Sequence, residues 1–209
     1  PRTAPGEGII PSMYALMGLR AQAGTYTVKM IKGKDTFSST VTVVPEPGSR
    51  HTDADRTAQL AAASTLYGMV EKLASLVDAL SNVRDQAKSA AAALPEKDAI
   101  RKRVQALADD MEAQRKALVA SQRGEGISGE EKLREELSLL YGNVNGYEGR
   151  PTQSQLDRTV VLEKDLGAAL AKFEASATKE AAALNVQLAA KKIPPIKVPG
   201  AAERDRPTK

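Results

Sequence analysis

The sequence has no cysteine and no tryptophan, only one histidine and two phenylalanines, and aromatic residues make up 3 % of it. Without cysteine, disulfide bonds and thiolate chemistry are excluded, and one imidazole cannot build a histidine-based metal cluster. The shortage of aromatic rings argues against a β-propeller or an aromatic-lined carbohydrate cleft within this chain. We therefore expect no catalytic residues and no cofactor, and we leave open only a metal site made of carboxylates.

Long apolar runs are also missing, since no stretch approaches the ~18 residues of a transmembrane helix. What the sequence does contain is ordinary for a globular protein: 209 residues, of which 42 % are hydrophobic and 27 % charged. The net charge of +4 permits weak contact with acidic surfaces but does not require a nucleic-acid partner. The sequence begins at Pro1 without a signal peptide, and we expect a fragment or a processed product.

One long helical pattern organises the chain, from about Asp53 to Leu94. Its apolar residues recur at spacings of three and four, which keeps them on one side of an α-helix, and only Arg84 interrupts the row. The row consists of Ala63, Leu66, Val70, Leu73, Val77, Leu80, Ala87, Ala91 and Leu94. A helix of this length spans about 60 Å and cannot bury such a row alone, so partner helices are required.

Three later segments carry matching apolar rows. The second helix follows Pro95, the third follows a predicted capping box at residues 128–131, and the fourth follows a capping-box pattern at Thr152. Their rows are Ile100, Val104, Leu107, Met111 and Leu118; Leu133, Leu137, Leu140 and Val144; and Leu156, Val160, Leu166, Leu170, Phe173, Ala177, Leu184 and Leu188. Short connections then predict a mainly α fold, an up-and-down four-helix bundle over residues 51–192. Residues 193–209 are rich in proline and charge, and we expect an extended or disordered tail.

Residues 1–50 predict a β-hairpin, the remnant of a small β-sandwich. Apolar and polar residues alternate on both sides of a turn at Gly33-Lys34. This turn would place Met30 opposite Phe37 and Tyr26 opposite Val41, so that the apolar residues of both strands share a face. We expect Tyr26, Val28, Phe37 and Val41 to face the helices or a neighbouring β-layer, and Thr27 and Thr40 to point away.

The hairpin also resembles a known family. The runs AGTYTVKM (residues 23–30) and TVTVVPEP (residues 40–47) resemble the last β-domain of bacterial exported sortilin-like β-propeller proteins, often labelled glycosyl hydrolases. In that family an alanine- and leucine-rich helical C-terminal region follows, which here would begin near Thr52. Residues 149–153 resemble a loop before the family's last helix, whereas its Asp-Pro-Arg is replaced here by Glu46-Pro47-Gly48-Ser49-Arg50. The propellers, where that family's site would lie, are not in this sequence.

Several short motifs could carry a site. Tyr141 and Tyr147 flank a loop rich in glycine and asparagine, where they could mark a contact surface or anchor the loop. Arg101, Lys102 and Arg103 form the densest basic stretch, but no aromatic platform accompanies them. The GxGxxG pattern at residues 124–129 follows a helix rather than a strand, which favours a plain interhelical loop over a dinucleotide site.

From these residues we expect a non-catalytic structural or protein-interaction module. The resemblance implies that it is the C-terminal part of an exported sortilin-like propeller protein, periplasmic or extracellular, whose partner is another protein or upstream domains of the same polypeptide. An accessory domain of a glycoside hydrolase is the first alternative. A basic helical adaptor for nucleic acid or an anionic surface is the second, although we expect no nucleic acid. A homo-oligomer remains open.

Overall fold

The computed structural model describes residues 1–6, 13–122 and 129–204. After a short 3-10 turn, Met13–Ala15, come two strands, β1 (Gly24–Lys32) and β2 (Asp35–Val43). The helices are α1 (Asp53–Ala93), α2 (Arg101–Leu118), α3 (Leu133–Gly146), α4 (Gln153–Phe173), α5 (Lys179–Ala190) and α6 (Ala201–Arg204). The prediction of a mainly helical chain with an N-terminal hairpin is confirmed, but α2 and α3 run in the same direction, which successive helices of an up-and-down bundle do not.

The start of α1 follows from its capping residues. Thr52 has extended backbone and its hydroxyl accepts a hydrogen bond from the Asp55 backbone N–H, while the Asp55 carboxylate accepts one from the Thr52 N–H. This reciprocal pair satisfies two N–H groups that the first turn of a helix leaves without partners. The helix runs for 41 residues and ends before Pro95.

The bundle is built by antiparallel pairing along α1. Near its C-terminal end, Arg84 contacts Glu112 of α2 at 2.6 Å, and near its N-terminal end the Gln59 side chain donates a hydrogen bond to the Val144 carbonyl of α3. Helices α2 and α3 therefore follow one another along α1, and both run antiparallel to it. Periodicity alone does not indicate this placement.

The fourth helix of the bundle is α4 and α5 joined through a π-helical turn, Glu174–Thr178. The predicted cap at Thr152 is confirmed, because its hydroxyl accepts from the Gln155 N–H. The predicted apolar row is wrong in its first turns: Val160 is 66 % exposed, and Leu162 is buried instead. Leu156, which is 40 % exposed, and Val160 face outward from the bundle.

The predicted capping box of the third helix is wrong. Helix α3 begins at Leu133 with Lys132 as its cap, and Glu135 accepts from the Lys132 N–H. Glu130 instead accepts a hydrogen bond from the Ser121 N–H, which closes the connection to α2. Ser128 lies outside the described residues.

One continuous hydrophobic core joins the helices. Leu73, Val77 and Leu80 are buried in it as predicted. Because Arg84 lies opposite Glu112 in an antiparallel pair, Leu80 is level with the last turn of α2 and Leu73 lies beyond it. Val104, Leu107 and Met111 of α2 lie level with a later part of α1.

The hairpin has the predicted register, with Met30 opposite Phe37 and Tyr26 opposite Val41. Gly33 occupies the turn with a φ of 63°, a left-handed conformation that glycine adopts without strain. The predicted burial is wrong, because every residue of both strands except Val43 is exposed. Within the described residues the sheet has only these two strands, and none of these residues adds a second β-layer.

The C-terminal segment is extended, as predicted, but not free of the bundle. Residues 193–200 run without helix or strand along the helices. Ile196 is buried, and Ile193 and Val198 pack against the core. The segment therefore packs on the bundle as far as Arg204, and residues 205–209 lie outside the described part.

Candidate interaction surface

The hairpin presents one apolar face. Strand residues alternate between the two sides of a sheet, so side chains two apart share a face. On one side lie Tyr26, Val28, Met30, Phe37, Val41 and Val43. Phe37 is 51 % exposed and Met30 58 %. The arrangement is a contiguous apolar surface on a two-stranded sheet, and surfaces of this kind commonly mark protein contacts.

The opposite face of the hairpin is mostly polar. It carries threonine, serine and lysine, and Thr25 and Thr42 lie opposite each other with their hydroxyl oxygens 3.4 Å apart. Ile31 is the apolar exception and is 73 % exposed. The hairpin is therefore amphipathic, with a clear difference between a face suited to packing and a face suited to water.

Tyr26 makes a contact typical of β-sandwiches. Its hydroxyl donates a hydrogen bond of 2.7 Å to the backbone carbonyl of Gln22, four positions earlier. A tyrosine that bonds back to the chain a few residues upstream is a recurring corner in sandwich domains. The contact fixes the ring at the base of the apolar face.

The base of the hairpin meets the helices around a cavity of about 230 Å³, lined by both strand-flanking segments and by α1. Arg56 projects toward it and donates a 2.7 Å hydrogen bond to the His51 carbonyl. Its guanidinium also lies 3.5 Å from the Glu148 carboxylate. These polar contacts hold the segment between β2 and α1 against α1. This segment does not cover the apolar face of the hairpin.

The two predicted contact tyrosines have different environments. Tyr141 is fully buried, its hydroxyl donates to the Met17 carbonyl at 2.8 Å, and its ring meets Tyr67 edge-on. Burial, with a smaller effect of Tyr67, raises the pKa of Tyr141 to about 12. Tyr141 therefore anchors the N-terminal segment on α3, and its assignment to a contact surface is wrong.

Tyr147 is exposed and lies beside the only histidine. Its ring packs edge-on against His51, with centroids 5.3 Å apart. Of the two predicted tyrosines, this is the one that a partner could reach. It lies after α3, near the N-terminal end of α1.

The predicted basic stretch is partly used within the chain. Arg101 donates to the Leu94 carbonyl at the end of α1, and Arg103 pairs with Glu180 of α5 at 2.8 Å. Lys102 is exposed. Two of these three cations therefore connect helices, which leaves little of this basic stretch for contact with a phosphate backbone.

A cluster of opposite charges joins α1 and α2 beside a second cavity of about 510 Å³. The Arg115 guanidinium donates to both Glu112 oxygens, and Arg84 donates to one of them. Arg115 first, then Arg84, lower the pKa of Glu112 to about 2 against the opposing effect of burial. The Glu112 carboxylate therefore links α1 to α2 through ion pairs and does not have the environment of a reactive carboxylate.

The other neighbouring carboxylates do not converge. Asp109 accepts from Gln105, whereas Asp110 accepts from Gln114. Glu135, in the first turn of α3, forms a buried pair with Arg134. Over residues 1–6, 13–122 and 129–204, no group of three or more metal-ligating side chains comes together. Gly124 and Gly126 of the GxGxxG pattern lie outside the described residues.

In the same ranges, no helix combines the length and the apolarity needed to cross a membrane. Comparison of the chain with protein-family models, with curated proteins and with solved structures gave no match. Sequence reasoning missed the exposure of the hairpin, although its alternating pattern identified each residue of the apolar face.

Proposed function

We propose that the chain is a non-catalytic protein-interaction module, and that the apolar face of its hairpin is the surface that contacts the partner. The observation that supports this proposal most strongly is the exposure of Phe37, Met30 and Val28 on one face of a regular nine-residue strand pair. A two-stranded hairpin is marginal in water by itself and gains stability from a further layer. The proposed partner supplies that layer.

The chemistry of the face favours a β-layer as the occupant. A flat row of alternating aliphatic and aromatic side chains packs well against another sheet about 10 Å away. The Tyr26 corner adds a feature typical of sandwich domains. The occupant is then a sheet of another protein or of a different domain of the same polypeptide.

The resemblance of the hairpin to exported sortilin-like proteins supports a finer proposal. In that case the module closes the C-terminal end of such a protein, and its location is periplasmic or extracellular. The resemblance is also what supports the accessory role beside a glycoside hydrolase. The adaptor for nucleic acid or an anionic surface is less favoured, because Arg101 and Arg103 already contact groups within the chain.

Site-specific photo-crosslinking tests the proposed surface in the cells that make the protein. A photoreactive phenylalanine analogue at Met30 reports on the apolar face, and the same analogue at Ser38 reports on the polar face as the matched control. We expect adducts from position 30 that map to a β-strand of another protein or domain. Charge on the same face, introduced as Val28→Lys, should remove them.

Two outcomes would contradict the proposal. Equal adducts from positions 30 and 38 would show that the hairpin contacts other proteins without preference for its apolar face. Unchanged adducts after Val28→Lys would show that apolar packing does not carry the contact. An adduct that maps to the hairpin of a second copy would instead identify a homo-oligomer as the partner.

A further inference from the structure

Residues 193–204, here called the C-terminal strap, consist of an extended segment, residues 193–200, in a groove between α1 and α5, and the short helix α6. The strap is held mainly through its backbone. Asn185 of α5 accepts from the Ile196 N–H at 2.8 Å and donates to the Ile196 carbonyl at 2.9 Å. Gln86 of α1 makes the same pair of bonds with Lys197, at 2.8 and 3.1 Å.

These two amide side chains hydrogen-bond to the strap backbone in the way that neighbouring strands of a β-sheet do. In an extended chain, the N–H and C=O of one residue point to one side and those of the next residue point to the other. Asn185 therefore hydrogen-bonds to one edge of the strap, and Gln86 hydrogen-bonds to the opposite edge. Because both bond to main-chain atoms, this part of the recognition does not depend on the strap's side chains.

Two side chains of the strap add specificity. Ile196 is 2 % exposed and fills the floor of the groove. Arg204 lies 5.3 Å above the Phe173 ring and pairs with Glu174 at 2.6 Å. Prolines at 194, 195 and 199 favour an extended backbone and have no N–H that would need a partner.

The hinge that leads into the strap is strained. Helix α5 ends with the Ile193 N–H bonded to the Leu188 carbonyl and the Lys192 N–H bonded to the Ala189 carbonyl. This pattern places Lys192 at the left-handed position after the helix, where glycine is usual, and its φ is 59°. A lysine in this conformation opposes closure of the strap.

We propose that the groove between α1 and α5 is a binding site for an extended peptide, and that the C-terminal strap fills it as a displaceable intramolecular ligand. The peptide that fits carries an aliphatic residue at the position of Ile196, prolines before it and an arginine at the position of Arg204. This inference is independent of the hairpin surface and concerns a second partner.

A labelled peptide tests the groove directly. The probe is a fluorescein-labelled synthetic peptide with the sequence of residues 193–204, and fluorescence anisotropy measures its binding to the full chain. In Ile196→Glu the strap is released, and the peptide should bind at least about tenfold more tightly than to the wild-type chain, whose own strap competes at an effective concentration of order millimolar.

Matched variants assign the contacts. In the Ile196→Glu chain, Asn185→Ala removes two backbone hydrogen bonds and should weaken peptide binding by about tenfold or more. Asn82→Ala, an exposed amide on the same helix as Gln86, should leave binding unchanged. Lys192→Gly in the wild-type chain removes the backbone strain at the hinge and so favours the bound strap. It should weaken binding of the labelled peptide by about two- to fivefold.

Each outcome either supports or overturns the proposed binding site. A helical Ile196→Glu chain that binds the peptide no more tightly than wild type, or an Asn185→Ala change without effect, overturns the proposal. If Ile196→Glu loses its helical circular dichroism, the wild-type chain is titrated with several millimolar peptide. Shifts of the Gln86 and Asn185 side-chain amide resonances then support the groove, and their absence overturns it. A dimer with exchanged straps would also support it.

Discussion

The helical bundle and the hairpin carry the same kind of sequence pattern and use it differently. In the bundle, Leu66, Leu76 and Leu137 are fully buried. In the hairpin, Val28 and Phe37 repeat with equal regularity, but both remain about half exposed. The two regions differ in what the chain supplies to cover each face.

A periodic row of apolar residues identifies a face but not the partner of that face. The helices cover one another because this chain contains several of them, joined by short connections that bring them side by side. The hairpin has no second β-layer within the described residues. Its pattern therefore supports the proposed interaction, and we expect substitutions on the covered face to have larger effects on stability than substitutions on the open one.

The largest effect is expected in the bundle. Leu73→Ala removes a buried side chain at the middle of α1 and should lower the free energy of unfolding by about 2–5 kcal/mol, because transfer energy is lost and a cavity remains. Thermal melts at matched concentration measure the loss.

The control for this change is Lys72→Ala, an exposed neighbour on the same helix. Its effect should stay within about 0.5 kcal/mol. Glu71 is unsuitable as a control, because its carboxylate accepts a hydrogen bond from the Arg2 backbone. Equal small shifts for Leu73→Ala and Lys72→Ala would mean that the row is not a core.

A smaller effect is expected at the charge cluster between α1 and α2. Glu112→Gln removes a carboxylate that accepts from Arg115 and Arg84, and at neutral pH it should cost about 1–2 kcal/mol. The pKa of Glu112 falls from 4.5 to about 2 in the folded chain.

The pH dependence follows from this direction. A lowered pKa means that the carboxylate stabilises the fold fully above about pH 4.5, and that the contribution is lost as the pH falls toward 2. Melts between pH 7 and 2 should show the wild type and Glu112→Gln converging. A difference that stays constant down to pH 2 would contradict the assignment.

The limits of sequence reasoning follow the same contrast. The mainly helical character of the chain, the caps at Thr52 and Thr152 and the hairpin register follow from local pattern, and the structure confirms them. Tyr141 was considered as a contact residue, yet it is buried, because its environment depends on where Met17 comes to lie. The strap contacts of Gln86 join residues 111 positions apart, a separation that local pattern does not reach.

A third effect tests how the N-terminal segment joins the bundle. Tyr141→Phe removes the hydrogen bond to the Met17 carbonyl and should cost about 1 kcal/mol. Because the pKa of Tyr141 rises from 10.0 to about 12, its contribution is complete below pH 10 and is lost as the pH approaches 12. Unfolding free energies at pH 9 and 11.5 should therefore differ less in Tyr141→Phe than in the wild type; an equal pH effect in both would contradict this anchor.

The smallest effect on stability, and the sharpest test of the comparison, belongs to the hairpin. Phe37→Thr keeps a residue suited to strands but removes a ring from the open apolar face. Since that ring contacts water rather than the core, the melting free energy of the bundle should change by no more than about 0.5 kcal/mol. Ile31→Thr, on the opposite face and 73 % exposed, is the matched control. Fluorescence of a dye that binds apolar surfaces should fall for Phe37→Thr more than for Ile31→Thr, because only Phe37 belongs to a contiguous apolar face.

A loss of stability comparable to that of Leu73→Ala would show that the hairpin folds onto the bundle in solution. The hairpin would then be part of the core, and the proposed partner would have no open face to bind.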